Sequence, residues 1–184
     1  MGCDDGQRLL LLAAWLRARD GDANAVSAAL AAEHRFWRMA LGSTDELISK
    51  MFALAYLQRN LAWGNMVLGQ LPPKAQRAAV PAPWRLPVTA RERSLLLPLV
   101  GEYQFIKQMT EDIASGNASA SDPLPPVTRV LGEPLFQRQD SRNKWAALAL
   151  ADSAAFDVDY RDIAAGMAAA KARAKHVQWQ LVAR

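Results

Sequence analysis

Apolar residues at Val26, Leu30, Trp37 and Leu41 recur at the spacing of one helical face. Glu33 lies on that same face, three residues after Leu30 and four before Trp37. A carboxylate there is either paired in the interior or aimed into a groove. The stretch from Arg19 to Lys50 reads as helix, sharp break, helix, capped break, helix.

The pattern predicts a first helix over 7–19, ended by Asp20-Gly21-Asp22, and a second over 23–41, stopped by Gly42. Ser43, Thr44 or Asp45 is expected to cap a third helix that runs to about Leu68. Leu47, Met51, Leu54 and Leu61 mark its expected inner face, with Ile48 and Ala55 beside them, and Gly64 is a candidate bend or early end. Pro72, Pro73, Pro81, Pro83 and Pro87 predict an irregular segment over 71–88, pinned by Trp84 and Leu86. Thr89-Ala90-Arg91-Glu92 has capping-box spacing and opens a fourth helix with a stripe of Leu95, Leu99, Tyr103, Ile106 and Met109. Pro98 within it predicts a kink or a delayed start. Residues 116–134 read as a loop containing a short extended piece at Val127–Leu131. Asp140 or Ser141 is then expected to cap a fifth helix, and Asp157 or Asp159 a sixth running to about Val182. In that last helix acidic residues precede Lys171, Arg173, Lys175 and His176, as the helix dipole favours.

The expected fold is therefore all-α, an irregular bundle of about six helices with proline-rich connections, forming one domain over 1–184. Within it, 5–69 holds the hairpin and third helix, 70–88 the proline-rich segment, 89–115 the fourth helix, 116–138 the loop and 139–184 the C-terminal helices. The first two helices resemble a tetratricopeptide-type hairpin in length and turn, without a second copy in phase.

Composition narrows the function classes. At 51% hydrophobic residues the chain can build a real core, and the scarcity of alternating runs argues against strands. A net charge of +4 is too small an excess for a nucleic-acid partner. A single cysteine, Cys3, excludes an internal disulfide, and it reads as a free thiol, a myristoylation-adjacent residue or the start of a lipoprotein. No run is long enough to cross a bilayer, and no secretory leader opens the chain.

Candidate chemistry centres on Glu33, His34, Arg38, Lys50 and Glu102. Arg38 and Lys50 are placed to neutralise Glu33 or to hold a ligand's acidic group between the second and third helices; the competing reading is an ion-pair cluster that sets helix register. His34 and Arg38, one turn apart, are expected to face solvent. Two distant histidines and the absence of HExxH or CxxC argue against metal. The absence of GxSxG and of phosphate-binding glycine motifs argues against a nucleophile elbow and a nucleotide site, and no cofactor is expected. The tryptophans, Trp15, Trp37, Trp63, Trp84, Trp145 and Trp179, are spread along the chain as core anchors or interface residues.

The segment Glu33-His34-Arg35-Phe36-Trp37-Arg38-Met39, followed by Ser43 and Leu47-Ile48-Ser49-Lys50-Met51, resembles a family of proteobacterial proteins with an N-terminal membrane anchor and a helical, envelope-facing region. Leu135-Phe136-Gln137, leading into a helix with Asn143, is similar too. The resemblance implies location rather than activity: the periplasmic side of the envelope, with membrane contact through an anchor missing from this sequence, and the cytoplasm as the alternative. It maps the family's recurrent residues to Glu33, Trp37, Arg38, Ser43 and Lys50. The expected function is a non-catalytic helical scaffold or protein-partner-binding domain of a bacterial envelope protein, with a groove formed by Glu33, Trp37, Arg38, Ser43, Lys50 and Glu102. The alternatives are a secretion-associated immunity or effector protein, a hydrolase using Glu33 as acid or base, and a membrane-surface protein using its basic last helix.

Overall fold

The computed structural model describes residues 3–115, 138–158 and 160–182, and among these all regular structure is helical, with no strand. The all-α expectation is met. The chain divides into two compact units, Met1–Thr44 with Ile48–Arg93, and Asp45–Leu47 with Ser94–Arg184.

The first unit begins with α1 (Cys3–Arg19) and α2 (Ala23–Ser43), packed against each other. The turn between them is a Schellman motif. Gly21 adopts a φ of 80°. Its N–H donates to the Ala18 carbonyl at 3.0 Å, and the Asp22 N–H donates to the Arg17 carbonyl at 3.0 Å. Asp22 then caps α2 by accepting from the Ala25 N–H at 3.0 Å. Gly21 and Asp22 thus act as their types predict.

Next comes α3 (Leu47–Leu68), which continues past Gly64 rather than ending there. Its buried residues are Lys50, Ala53, Leu57, Asn60, Gly64, Val67 and Leu68. The expected inner residues Met51, Leu54 and Leu61, with Ile48 and Ala55, are exposed. The cause is physical. The helix is apolar nearly all round, so hydrophobic periodicity does not say which face is inward.

The proline-rich segment is also more regular than expected. Pro73 opens a short helix, α4 (Pro73–Ala79), and a 3-10 turn covers Ala82–Arg85. A proline in the first turn removes only an N–H that has no partner inside the helix. Trp84 packs on the core as expected, whereas the Leu86 side chain is exposed. One apolar cluster joins Leu11, Ala14 and Ala18 to Val26, Leu30, Val67, Leu68, Leu71 and Ala79. A second joins Leu41, Ala53 and Leu57, with Trp37 and Ala40 against it. The unit closes with α5 (Ala90–Arg93), a single turn whose capping box forms as predicted. The Thr89 N–H donates to Glu92 Oε2 at 2.6 Å, and the Glu92 N–H donates back to Thr89 Oγ1 at 3.3 Å.

The second unit holds α6 (Leu96–Ser115), α7 (Arg138–Phe156), a 3-10 turn (Tyr160–Asp162) and α8 (Ile163–Val182). The break between Arg93 and Leu96 realises the delayed start: Pro98 sits buried in the first turn of α6. Leu95, Leu99, Tyr103 and Ile106 are half-buried, while Met109 is exposed. Helix α7 packs on both α6 and α8, and Arg142 bridges to Glu111 at 2.5 Å. It begins at Arg138, ahead of the expected caps Asp140 and Ser141. In α8, Lys171, Arg173 and Lys175 lie mid-helix and the last turn holds no basic residue, so the dipole argument does not account for them. The expected loop with its extended piece, and Leu135-Phe136-Gln137, lie outside the described residues.

Candidate functional site

Along α2, Leu30 belongs to one apolar cluster and Leu41 to the other, and the polar pair Glu33 and His34 falls between them. Asn60 on α3 is fully buried and meets this pair. Its Nδ2 donates to Glu33 Oε2 at 2.7 Å and to the Leu30 carbonyl at 3.4 Å. Both of those atoms are acceptors, which orients the amide. Asn60 Oδ1 must then accept, and it does so from Trp84 Nε1–H at 3.0 Å and from His34 Nδ1 at 3.3 Å. The neutral His34 imidazole is therefore the Nδ1–H tautomer. Burial pushes its pKa below the ordinary 6.5, only partly opposed by the bond to Asn60. Gln7 of α1 completes the group, donating from Nε2 to Glu33 Oε1 and to the Tyr56 carbonyl. Gln7 Oε1 is buried and accepts no bond from the described residues.

Three helices thus meet at one carboxylate, whose residue is only 6% exposed. Each oxygen of Glu33 is held by a neutral amide. Such a network fixes the register of α1, α2 and α3 and the seat of Trp84, because a misplaced helix leaves a buried polar group without a partner.

A second constellation closes the end of α2. Helices leave their last carbonyls unsatisfied. Here the Ala40 carbonyl accepts from the Thr44 N–H at 3.1 Å, and the Leu41 carbonyl from Lys50 Nζ at 2.7 Å. The Gly42 carbonyl accepts from Arg91 Nε at 3.0 Å, and Met39 from Ser43 Oγ at 2.8 Å. Two cations at a helix C-terminus also complement its dipole. Arg38 sits one turn earlier and donates from Nε to Glu92 Oε1 at 2.6 Å. Its Nη1 and Nη2 reach the carbonyls of Leu86 and Pro87 at 3.0 and 2.7 Å. Hydrogen bonds from Arg38 hold the Glu92 carboxyl well below its ordinary value, at about 2, with those from Thr89 helping and burial opposing. Burial lowers the Lys50 ammonium, and the charge of Glu92 partly offsets this.

The residues expected to line one groove are thus divided among separate tasks. Glu33 is buried as predicted, but Gln7 and Asn60 hold it, while Lys50 and Arg38 are engaged elsewhere. His34 is buried, not solvent-facing, because Asn60 and Trp84 cover it. Trp37 is half-buried and stacks on Tyr56 with ring centroids 4.2 Å apart. Ser43 bonds back to its own helix and is exposed. Leu47, the first residue of α3, falls within the second unit, and there its N–H donates to Glu102 Oε1 at 3.3 Å, where Ser43, Thr44 or Asp45 was the expected cap.

Sequence reasoning missed Gln7 and Asn60. Asn60 left no usable signal: it shares a face with Ala53, Leu57, Gly64 and Val67, but the apolar pattern of α3 does not mark that face as inward. Gln7 left none, being one polar residue in the opening turns of α1.

Among the described residues no group of three or more His, Cys, Asp or Glu converges as a metal site, and no helix is long and apolar enough to cross a membrane. What the helices do present outward is apolar. On α3, Ile48, Met51, Phe52, Trp63 and Met66 are all close to half exposed or more, as are Leu9, Leu12 and Leu16 on α1 and Phe36 and Met39 on α2. Comparison with protein-family models, curated proteins and solved structures gives no match to the chain.

Proposed function

We propose that the protein is a non-catalytic helical scaffold that binds another protein, and that the outer face of α3 is its binding surface. The observation that carries this reading is the row of large apolar side chains on that face, Ile48 at 53%, Phe52 at 56% and Met66 at 68% exposure, with Trp63 beside them. Contiguous exposed apolar surface of this kind marks interaction sites. Aromatic residues and methionine are the types enriched at protein interfaces. The polar residues that looked like chemistry are spent on holding the helices, and this favours a scaffold over a hydrolase built on Glu33.

Placement on the envelope-facing side of a bacterial membrane is part of the proposal and rests on the family resemblance of residues 33–51. The test is affinity capture from the source cell, with the full chain as bait beside a Phe52→Glu, Met66→Glu double variant. A protein retained by the first bait and lost from the second is the expected result. Equal retention by both removes α3 from the reading.

A further inference from the structure

The outward residues of α3 follow a stricter rule than exposure alone requires. Ile48, Phe52, Ala55, Arg59, Ala62 and Met66 are spaced 4, 3, 4, 3, 4. That is the seam of a coiled coil, on the side of the helix opposite its buried residues. All but Arg59 are exposed, and Arg59 is half-buried through its bond to Asp4 of α1. The flanking positions are Met51, Gln58 and Asn65 on one side and Ser49, Tyr56 and Trp63 on the other, so no flank carries a charge.

We infer that this seam pairs with the same seam of a second copy of the chain, antiparallel, about a two-fold axis that crosses the seam midway between Ala55 and Arg59. The inference rests on the partner-binding reading above and names the partner. In that arrangement Ile48 meets Met66 of the second copy, Phe52 meets Ala62, and Ala55 meets Arg59. Each layer matches a large side chain with a small one, or two of middle size, as close packing requires. The opposing alanine also leaves room for the long stem of Arg59, whose charge stays with Asp4. A parallel pairing fails on both counts. It stacks Phe52 on Phe52, leaves alanine facing alanine, and places two Arg59 guanidinium groups in one layer, where like charges repel. The two-fold arrangement is isologous, the commonest way soluble chains associate. The stripe spans nineteen residues, about 27 Å of helix from the first to the last. With Met51 and Trp63 it offers on the order of 700 Å² per copy, near the ~800 Å² each partner gives to a standard interface.

The test is sedimentation equilibrium of the full chain over a wide concentration range, with crosslinking to set orientation. Dimers are expected, and Phe52→Glu should weaken them at least about tenfold with unchanged helical circular dichroism. In a Cys3→Ser background, Gln58→Cys should crosslink to its own copy through a short bis-maleimide, because antiparallel packing puts that flank against itself. Ala62→Cys should crosslink to itself only in a parallel pair. A monomer at every concentration overturns the inference, as does crosslinking at position 62 but not 58. A monomer that still captures a protein through α3 leaves the partner-binding reading standing while the self-pairing falls.

Discussion

The indole edge of Trp84 occupies the space that a side chain on Gly64 would fill. A Cβ at position 64 would stand 2.6 Å from Trp84 Cη2 and 2.7 Å from Cζ2. The indole has little freedom to retreat, because its Nε1–H is bonded to buried Asn60. Glycine in mid-helix costs up to about 1 kcal/mol relative to alanine. Here that cost admits the tryptophan that seats the proline-rich segment. Gly64→Ala should therefore destabilise the protein despite its better helix propensity, by about 1–2 kcal/mol net of overpacking. Thermal denaturation checks this; a rise in melting temperature would contradict the contact.

The Arg38–Glu92 pair sets an acid limit. Glu92 ordinarily titrates at 4.5 and is held at about 2, with its side chain 11% exposed. A carboxyl depressed in the folded state contributes stability that is complete above 4.5 and is lost as pH falls towards 2. The shift corresponds to at most about 3 kcal/mol. Urea midpoints measured from pH 5 down to pH 2 should fall along this course. In Glu92→Gln the protein should start less stable and lose less over the same range.

His34 predicts a separate step at milder pH. Its folded pKa is lowered, chiefly by burial, so between that value and 6.5 the unfolded chain binds more protons than the folded one. Stability is thus complete above 6.5 and declines as pH falls below it. His34→Gln keeps an N–H donor for Asn60 without a titrating ring. The variant should lose the step that begins at 6.5 and keep the lower one due to Glu92; an unchanged profile would show that His34 does not titrate on unfolding.

Lys50 and Glu33 should act independently. Lys50→Ala leaves the Leu41 carbonyl without its side-chain donor and should cost about 1–3 kcal/mol. Leu41 and Glu33 lie two turns apart on α2, and Glu33 is held by other groups. A double-mutant cycle with Glu33→Gln should be additive within about 0.5 kcal/mol. Rescue of Lys50→Ala by Glu33→Gln would restore the ion pair expected from the sequence.

Much of the local architecture was legible before folding. The Asp20-Gly21-Asp22 turn, the inward face of α2 carrying Glu33, the capping box at Thr89 and Glu92, and the delayed start at Pro98 all depend on residues within a turn or two of one another. Backbone sterics, capping and amphipathic spacing are local physics, and a single sequence states them. The partners of Glu33 were not legible. Gln7 lies 26 residues before it and Asn60 27 after, and many amides and cations compete on paper for one carboxylate.

The sequence by itself determined that the chain is helical, where most helices break, and that α2 turns a carboxylate inward. Tertiary structure alone decided which groups satisfy that carboxylate and which face of α3 is inside. A helix apolar on all sides carries no phase in its hydrophobic pattern. The need to pair Lys50 and Asn60 and to fit Gly64 beneath Trp84 chose the buried face, and the apolar residues on the other side were left outward.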